Sequence, residues 1–405
     1  MTSFQRLIFA ASIAIIIAAH PAAAQPRDLI RIACSGIDDT RAINTALAAL
    51  VSTGGTVEIR PGICVVNQGR LVYRSVKPIT LRGSGWASKI VWRPALDAPL
   101  QDKGLINLSG VGPAADEHLA QAVIRDLAID CGGSRQAPYD INKRCVNIYN
   151  ADNVSILDSQ IKGAIGEAIG IGNFGSRATP GTSALVQGNE IVDFGQVGIN
   201  PNNFSTRIIG NRIHRGVVGI EAGRSSIVIV GNELADLTSH GIALSSVGGF
   251  VVANNLLRNT MTFNPGSVRG AILVVGGGSN EASTVGVIDA NVIIEDLRHP
   301  NQVGIALEQG TATQTNSRIR ISNNVIDGAQ QGIFADNLTQ SSVSGNLIAG
   351  HRDRGSSTGI ELLASPRVTR NVVGGNVLVG PWTNRAVEDQ NPVDQGNRIH
   401  SNDAH

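Results

Sequence analysis

The sequence has few aromatic residues and almost no net charge. Phe, Trp and Tyr together make up 3% of the chain, which leaves few platforms on which a neutral sugar could stack. The 33 basic and 32 acidic side chains nearly cancel, and such a balance gives no reason to expect nucleic acid or an anionic membrane surface as a partner. The sequence has no CxxC, His-rich or aspartate-rich calcium pattern, so we predict no metal and no cofactor.

No apolar run long enough to span a membrane follows the first 24 residues. At the start, Arg6 precedes the uncharged run Leu7–Ala19, and the small residues 22–24 follow. This arrangement is typical of a secretory signal peptide, which is too short to cross a bilayer as a helix. We therefore predict a signal peptide at 1–24, a single domain at 25–405, and export to the periplasm or the extracellular space.

Four cysteines lie in the predicted exported part, and an oxidising compartment favours disulfides between them. Four cysteines allow three pairings. We predict the sequential pairs Cys34–Cys64 and Cys131–Cys145, because the first joins neighbouring parts of the repeat and the second closes one loop.

A repeated phrase dominates residues 189–371: an apolar strand, Gly-Asn or Asn-Asn, a few polar residues, then Gly-Ile, as in "IIGNRIHRGVVGI". The asparagines that we align are Asn189, Asn211, Asn232, Asn254, Asn291, Asn323, Asn346 and Asn371. A fixed period of this size indicates a repeat architecture, and short Val/Ile runs without helical segments indicate strand-turn-strand coils. Stacked coils would place these asparagines in a ladder with about 4.8 Å between rungs.

The pattern resembles the right-handed parallel β-helix of the pectate-lyase-like superfamily. Residues 35–62, with Asp-Asp-Thr, a short apolar-faced helix and Gly-Gly-Thr-Val, resemble that superfamily's N-terminal segment. The predicted fold is therefore an all-β, right-handed parallel β-helix with a short N-terminal capping helix. Asp38 or Asp39 would cap that helix, so these acids and Thr40 have a structural role.

Two regions could hold a ligand. Between Cys131 and Cys145 lies a loop with Tyr139, Lys143 and Arg144. It is either a surface loop closed by a disulfide or a basic surface that binds an acidic sugar. The repeats between Asn254 and Asn323 carry insertions, and long loops on a rigid scaffold often form binding sites.

Aligning the coils on the isoleucine of Gly-Ile predicts which side chains face outward. The next position gives Asn200, Glu221, Ala243, Ala306, Phe334 and Glu361, of which Glu221 and Phe334 are candidates for substrate binding. Two residues further on we align Ser245, Val274, Glu308 and Asp336. Glu308 and Asp336 would lie roughly 5 Å apart, a separation that raises one pKa and suits a retaining glycosidase or transglycosidase. The alternative is a pair of solvated carboxylates or partners for a nearby arginine.

The segment "SHGIALSSVGG" at 239–249 is similar to the Gly-His-Gly segment of polygalacturonases. By that resemblance His240 would support the catalytic acid, and Arg269, one coil later, would hold a uronate carboxylate; the alternative for His240 is a turn residue. Polygalacturonases carry paired aspartates one coil earlier, where this chain has Arg215-Gly216. The motifs of calcium pectate lyases and alginate epimerases are also absent from the sequence.

Two functions remain. One is an exported enzyme that cleaves or modifies a uronate-containing polysaccharide as a lyase, glycoside hydrolase or transglycosidase, with Glu308, Asp336, His240 and Arg269 as catalytic candidates. The other is a non-catalytic glycan-binding, surface or matrix β-helix protein. In both, the partner is a polysaccharide or oligosaccharide, and a homo-oligomer is possible.

Overall fold

The computed structural model describes most of the chain beyond the N-terminal 27 residues. The described ranges are 28–67, 69–93, 104–133, 144–172, 181–223, 226–261, 270–276, 283–295, 302–309, 315–350, 358–380, 382, 384–391 and 395–404. The predicted signal peptide lies outside them. No helix in these ranges is long and apolar enough to cross a membrane.

Parallel strands form three long sheets, and the chain visits them in the repeating order A, B, C. Sheet A contains β1 (Asp28–Ile32), β2 (Gly55–Ile59), β5 (Ile79–Arg82), β8 (Leu119–Arg125), β11 (Ala151–Leu157), β14 (Ser183–Gln187), β17 (Ser205–Ile209), β20 (Ser226–Val230), β23 (Gly249–Ala253), β26 (Thr284–Asp289), β29 (Ser317–Ser322), β32 (Leu338–Thr339), β33 (Ser342–Ser344), β36 (Val368–Thr369), β37 (Val372–Gly374) and β40 (Arg398–Ile399).

Sheet B contains β3 (Gly62–Val66), β6 (Ser88–Trp92), β9 (Ala128–Asp130), β12 (Gln160–Lys162), β15 (Glu190–Val192), β18 (Arg212–Gly216), β21 (Glu233–Leu237), β24 (Leu256–Arg258), β27 (Val292–Ile294), β30 (Val325–Asp327), β34 (Leu347–Ala349), β38 (Val377–Val379) and β41 (Asp403–Ala404). Sheet C contains β4 (Leu71–Arg74), β7 (Ile106–Ser109), β10 (Val146–Tyr149), β13 (Ile169–Ile171), β16 (Val197–Pro201), β19 (Val218–Gly223), β22 (Ile242–Ser245), β25 (Ile272–Val275), β28 (Val303–Glu308), β31 (Gln331–Ala335), β35 (Thr358–Leu362) and β39 (Val387–Asp389). Helix α1 spans Thr40–Ala49, and a 3₁₀ turn spans Ala115–Glu117.

Each coil contributes one strand to each sheet, and the same strand of the next coil pairs with it in parallel. Alternate side chains point into the solenoid, as in β20, where Ile227 and Ile229 are buried while Val228 and Val230 are half exposed. The buried residues form one continuous apolar core from Ile43 to Leu378. The all-β parallel architecture is as predicted.

The glycine of the Gly-Ile phrase faces this core. A Cβ atom built on Gly219 would lie 2.5 Å from Leu234 Cδ2 and 2.6 Å from the Gly241 carbonyl oxygen. Gly198, Gly241, Gly304, Gly332 and Gly359 meet sheet B side chains in the same way. The glycine recurs because only a residue without a side chain lets sheets B and C approach this closely.

The asparagine ladder is present, but three of the predicted rungs are wrong. The backbone and side-chain amides of each ladder residue donate to the side-chain oxygen of the next, as from Asn211 to Asn232 at 2.9 and 3.0 Å. The ladder runs through Asn189, Asn211, Asn232, Asn255, Asn291, Asn324, Asn346, Asn376 and Asn402. Asn254 and Asn323 instead occupy the preceding position in the left-handed conformation, at φ 55° and 56°. Asn371 belongs to a separate ladder with Ser341 and Asn397.

Helix α1 begins after Asp39, whose side chain makes no capping bond to the helix. Of the two residues predicted as alternatives for the cap, Asp39 therefore does not cap the helix. Its carboxylate accepts hydrogen bonds from the backbone amides of Ser35, Gly36 and Val65, and so ties the 35–36 turn to strand β3. Asp38 accepts from the amide and hydroxyl of Thr40.

Both predicted disulfides, Cys34–Cys64 and Cys131–Cys145, are present. The first joins the segment before α1 to strand β3. The second brackets a segment of which residues 134–143 lie outside the described ranges.

Candidate functional site

The outer face of sheet C is buried around β28 and β35, whereas Glu221 in β19 of the same sheet is exposed, as are outward residues of sheets A and B. In β28 and β35 every residue is buried, on both faces of the strand. In β20 and β24 the inward residues are buried, and the outward ones are half or fully exposed. A face that carries polar groups yet is shielded from water is a suitable place for binding and proton-transfer chemistry.

Strand register places the first predicted set of outward residues in one column. The column runs through Asn107, Asn147, Gly170, Asn200, Glu221, Ala243, Leu273, Ala306, Phe334, Glu361 and Glu388. In the second predicted column one residue is wrong: Val275, not Val274, pairs with Ser245 and Glu308. Val274 faces the core and is fully buried.

A buried ion pair lies on the N-terminal part of this face. Arg144 Nε donates to Glu167 Oε2 at 2.5 Å and Arg144 Nη1 donates to Asn147 at 3.0 Å, while Asn200 donates to the other Glu167 oxygen at 2.9 Å. Gly170 makes room for this pair, because a Cβ there would lie 2.7 Å from the Arg144 side chain. Arg144, predicted to bind substrate, is therefore engaged by Glu167.

Glu221 follows Asn200 in the column and remains accessible. Its surroundings exclude enough water to raise the pKa of its carboxyl, and the negative charge of Glu167 raises it further. Within the described residues its carboxylate makes no hydrogen bond. Glu221 is thus an unengaged carboxyl group whose protonated form is favoured relative to an ordinary glutamate.

His240 lies in the coil that follows Glu221, at the residue before Gly241, and is 8% exposed. Its Nδ1 is 2.8 Å from the carbonyl oxygen of Gly270, so Nδ1 carries the proton and the lone pair of the neutral ring is on Nε2. Burial lowers the pKa of His240, although the bond to Gly270 partly opposes the effect. The ring is therefore a neutral base with Nε2 unengaged by the described residues.

The sequence alignment of His240 with Arg269 is off by one residue. Strands β22 and β25 pair Ile242 with Ile272, which places Gly270 beside His240. An Ala between Gly270 and Ile272 causes the shift. Arg269 itself lies outside the described residues, as do Tyr139 and Lys143.

The middle of the face is apolar. Leu273, Val303 and Ala306 form a small cluster outside the solenoid core, and Ala243, Val275 and Phe334 pack against it. This cluster separates the Glu221 region from a group of carboxylates nearer the C-terminus. Phe334, predicted to bind substrate, is half buried at the boundary.

Glu308 and Asp336 lie in successive coils, as predicted, immediately after the paired residues Leu307 and Ala335. Glu308 is 8% exposed. Asp336 Oδ1 accepts a 2.7 Å hydrogen bond from the backbone amide of Gln309. Burial raises the pKa of Asp336, and the Gln309 amide and the charge of Arg367 partly offset that rise.

Glu361 lies beside Phe334 in the next coil, with each oxygen held by a glutamine. Gln331 donates to Oε2 at 2.7 Å and Gln390 donates to Oε1 at 2.9 Å. Burial raises the pKa of Glu361, the charge of Glu388 raises it further, and the two amide bonds oppose the shift.

The structure does not bring all predicted catalytic residues together. His240 and Asp336 are three coils apart by the pairing of Ile242, Ile272, Ile305 and Ile333. At about 4.8 Å per coil they are separated by about 14 Å along the solenoid, too far to act on one bond. Glu221 and His240, by contrast, lie in adjacent coils.

Sequence reasoning missed Glu167. The position two residues before the inward Val or Ile at the start of the sheet C strand also faces outward, and it holds Arg144, Glu167 and His240 in three coils. Applying this rule to the sequence "EAI" at 167–169, as well as to "HGI" at 240–242, would have identified Glu167. Among the described residues no group of three His, Cys, Asp or Glu side chains is arranged to hold a metal ion.

No protein-family profile matches the sequence, and no protein of curated function matches it significantly. The structure is similar to the A-module of a mannuronan C-5 epimerase from Azotobacter vinelandii, with a TM-score of 0.55, 15% identity and coverage of 93% of this chain and 99% of that one. It is also similar to the catalytic domain of a GH87 α-1,3-glucanase in complex with tetrasaccharides, with a TM-score of 0.60, 15% identity and coverage of 93% and 70%.

A third similar structure is a DFA-IIIase from Arthrobacter chlorophenolicus without its lid, in complex with GF2. Its TM-score is 0.55, with 12% identity and coverage of 85% of this chain and 98% of that one. At such identities the similarities establish the fold and nothing finer. The fold is a right-handed parallel β-helix, as predicted.

Proposed function

We propose that this protein is an exported carbohydrate-active enzyme that binds a glycan on the outer face of sheet C and modifies it by acid–base chemistry at Glu221 and His240. One observation carries the proposal. Two titratable groups lie in adjacent coils of sheet C, the exposed Glu221 and the buried His240, and the described residues make no hydrogen bond to the Glu221 carboxylate or to His240 Nε2.

The two groups suit complementary steps of proton transfer. Neutral His240 would accept a proton at Nε2, and its bond to Gly270 fixes the ring and its tautomer. Glu221 has a raised pKa and would give a proton to a leaving oxygen. In a β-elimination on a uronate, His240 would take the C5 proton and Glu221 would protonate the departing glycosidic oxygen.

Polysaccharide specificity for uronates rests on a group that neutralises the sugar carboxylate. The polygalacturonase resemblance gives this role to Arg269, and the basic loop between Cys131 and Cys145 would add Lys143 and Tyr139 as further contacts. Arg144 is a weaker candidate for this role than the sequence suggests, because Glu167 and Asn147 already hold it.

Glu308 and Asp336 are the second candidate pair, for glycosyl transfer or hydrolysis. Adjacent coils and the raised pKa of Asp336 favour this pair. The bond between Asp336 and the Gln309 amide argues against it, because that carboxylate is already engaged.

The test is incubation of the protein without residues 1–24 against pectate, alginate, glucuronan and neutral glucans and fructans. Ultraviolet absorbance would report unsaturated uronates, and a reducing-end assay would report hydrolysis. We expect activity that E221Q and H240A each reduce at least about a hundredfold, since general acids and bases contribute that much. E190Q, on the outer face of sheet B, is the matched control.

Three results would change the proposal. Loss of activity in E308Q and D336N, with E221Q fully active, would move the chemistry to the second pair. Full activity in all four variants would refute both assignments. No product and no glycan binding by the folded protein would favour the alternative of a non-catalytic surface or matrix β-helix protein.

We also propose that α1 closes the N-terminal end of the solenoid. Ile43, Leu47 and Leu50 are buried against the first coil. Asn44 bonds the Arg70 carbonyl and the Val72 amide, both at 2.9 Å, at the free edge of β4. An open strand edge invites association, so N44A should increase aggregation on concentration.

A further inference from the structure

The outer face of sheet B changes character along the solenoid. In the N-terminal half its outward residues are polar or charged, as at Glu190, Arg212 and Glu233. From β24 onward an apolar stripe crosses five successive coils. Its members are Leu256, Val292, Val325, Leu347 and Val377 in one column and Ile294, Ala349 and Val379 in the next. Leu347 is 42% exposed and Val377 is 36% exposed, so the stripe reaches the surface.

The apolar stripe is a contiguous surface. Single exposed apolar side chains are common in proteins, whereas contiguous ones mark interaction surfaces. Five coils are four steps of about 4.8 Å, so the stripe is about 19 Å long. Covering it would stabilise an associated form by roughly 25 cal/mol for each Å² of apolar surface removed from water. A column of side chains at this spacing is matched by a column of the same spacing, which a second copy of this chain offers.

Two exposed charges interrupt the stripe and determine how two copies would be arranged. In the second column Arg258 lies one coil before Ile294, and Asp327 lies one coil after it. Both side chains are exposed, and neither forms an ion pair with another residue in the described ranges. A two-fold axis along β27 would reverse the solenoid direction of the second copy. It would bring Arg258 of each copy against Asp327 of the other, so that the charges are complementary twice.

The same axis matches the remaining residues of the two faces. Leu256 of one copy would lie against Val325 of the other, and Ile294 against its own counterpart. Towards the ends, the apolar stripe would meet Arg212 and Glu233, which already pair with each other at 3.4 Å and whose aliphatic stems can cover apolar groups. An apolar centre with charged groups at its ends is the usual composition of a protein interface.

An axis along the next strand, β30, would overlap more of the apolar stripe. It would also place Asp327 directly against its own counterpart, and like charges opposite one another are unfavourable. The charges therefore favour the axis along β27.

We infer that the outer face of sheet B is the interface of an antiparallel homodimer, with the two-fold axis along β27 and reciprocal ion pairs between Arg258 and Asp327. The partner is a second copy of this chain. The arrangement leaves sheet C of both copies uncovered, so it does not depend on the proposed function.

The experiment measures the dimer dissociation constant of the protein without residues 1–24 by sedimentation. R258E and D327K should each weaken the dimer at least about tenfold, because each creates two contacts between like charges. The double variant R258E/D327K exchanges the charges and should return to within about threefold of the parent. R320E, at an exposed arginine on the outer face of sheet A, is the matched control and should leave the constant unchanged.

Cross-linking gives an independent test of the axis. Facing sheets pack about 10 Å apart, so a bis-maleimide reagent of that reach should link I294C to its own counterpart. It should not link A349C, because four coil steps, about 19 Å along the solenoid, would separate its two copies. The four native cysteines are paired in disulfides and would not react.

Three results would overturn the inference. A parent that stays monomeric up to about 1 mM has no specific dimer. A dimer that R258E and D327K leave unchanged uses another face. A dimer that both single variants weaken, but that the double variant does not restore and I294C does not link, has another arrangement than the antiparallel one.

Discussion

Replacing Asn255 by alanine should destabilise the protein far more than the same change at its neighbour Asn254. Asn255 is 1% exposed, and its side chain makes four hydrogen bonds: two from Asn232 at 2.9 and 3.0 Å, one to Asn291 at 2.9 Å and one to the Ile229 carbonyl at 3.0 Å. At a net value of about 1 kcal/mol each, N255A should lower the free energy of unfolding by about 4 kcal/mol. The loss also leaves the Asn232 backbone amide buried without its acceptor.

Asn254 is exposed and occupies the left-handed region at φ 55°. N254A should cost about 1 kcal/mol, because alanine tolerates that conformation less well, and N254G should cost nothing. The free energies come from urea unfolding, and amide hydrogen exchange at Asn232 gives a local reading, since only N255A should accelerate it. Equal losses in N254A and N255A, or an unchanged exchange rate in N255A, would refute the ladder argument.

Three further predictions concern the site and its scaffold. E167Q should lower the free energy of unfolding, measured by heat or urea, by about 3 kcal/mol, because it removes the carboxylate that pairs with the buried Arg144 guanidinium. E233Q, at the exposed pair with Arg212, should cost less than about 1 kcal/mol. The pKa of Glu221 is raised from its ordinary 4.5, so the folded protein binds this proton more tightly than the unfolded chain does. The contribution of Glu221 to stability is therefore present below pH 4.5 and is lost as the pH rises through the folded pKa. Unfolding measured across that range should show a smaller decline in E221Q than in the parent, and parallel curves would contradict the assignment. G219A should cost about 1–3 kcal/mol because the added methyl overlaps Leu234, while G248A, which meets nothing within 4 Å, should be neutral by the same measurement.

Local patterns were enough to predict the fold, because each coil repeats the same short-range rules. Alternating Val and Ile residues define which side of a strand faces the core, and the recurring Gly-Ile phrase marks the close approach of sheets B and C. The disulfides were predicted as the sequential pairs, which join neighbouring coils or close one loop, and both are present. Outward columns such as Glu221, Ala306 and Phe334 were also predictable, since strand register fixes them.

Where the sequence allowed two alignments of the coils, only the tertiary structure showed which one is correct. In the Asn-Asn doublets the left-handed residue and the ladder residue have the same side chain, and the position of the turn determines that Asn255 and Asn324 are the ones inside. In the coil of Arg269 one additional residue shifts the register, so that Gly270 lies beside His240. Such errors of one position are invisible in sequence because both alignments keep the hydrophobic pattern.

The sequence by itself determined a disulfide-linked stack of parallel coils, since periodicity and residue type are properties of the chain alone. The structure decided that the outer face of sheet C is buried around β28 and β35, that Glu167 engages Arg144, and that His240 and Asp336 are separated by about 14 Å along the solenoid axis. These facts depend on how far apart the coils lie along the solenoid and on which side chains reach across them. A repeat sequence gives the order of the coils, but the distances and contacts that determine chemistry exist only after they stack.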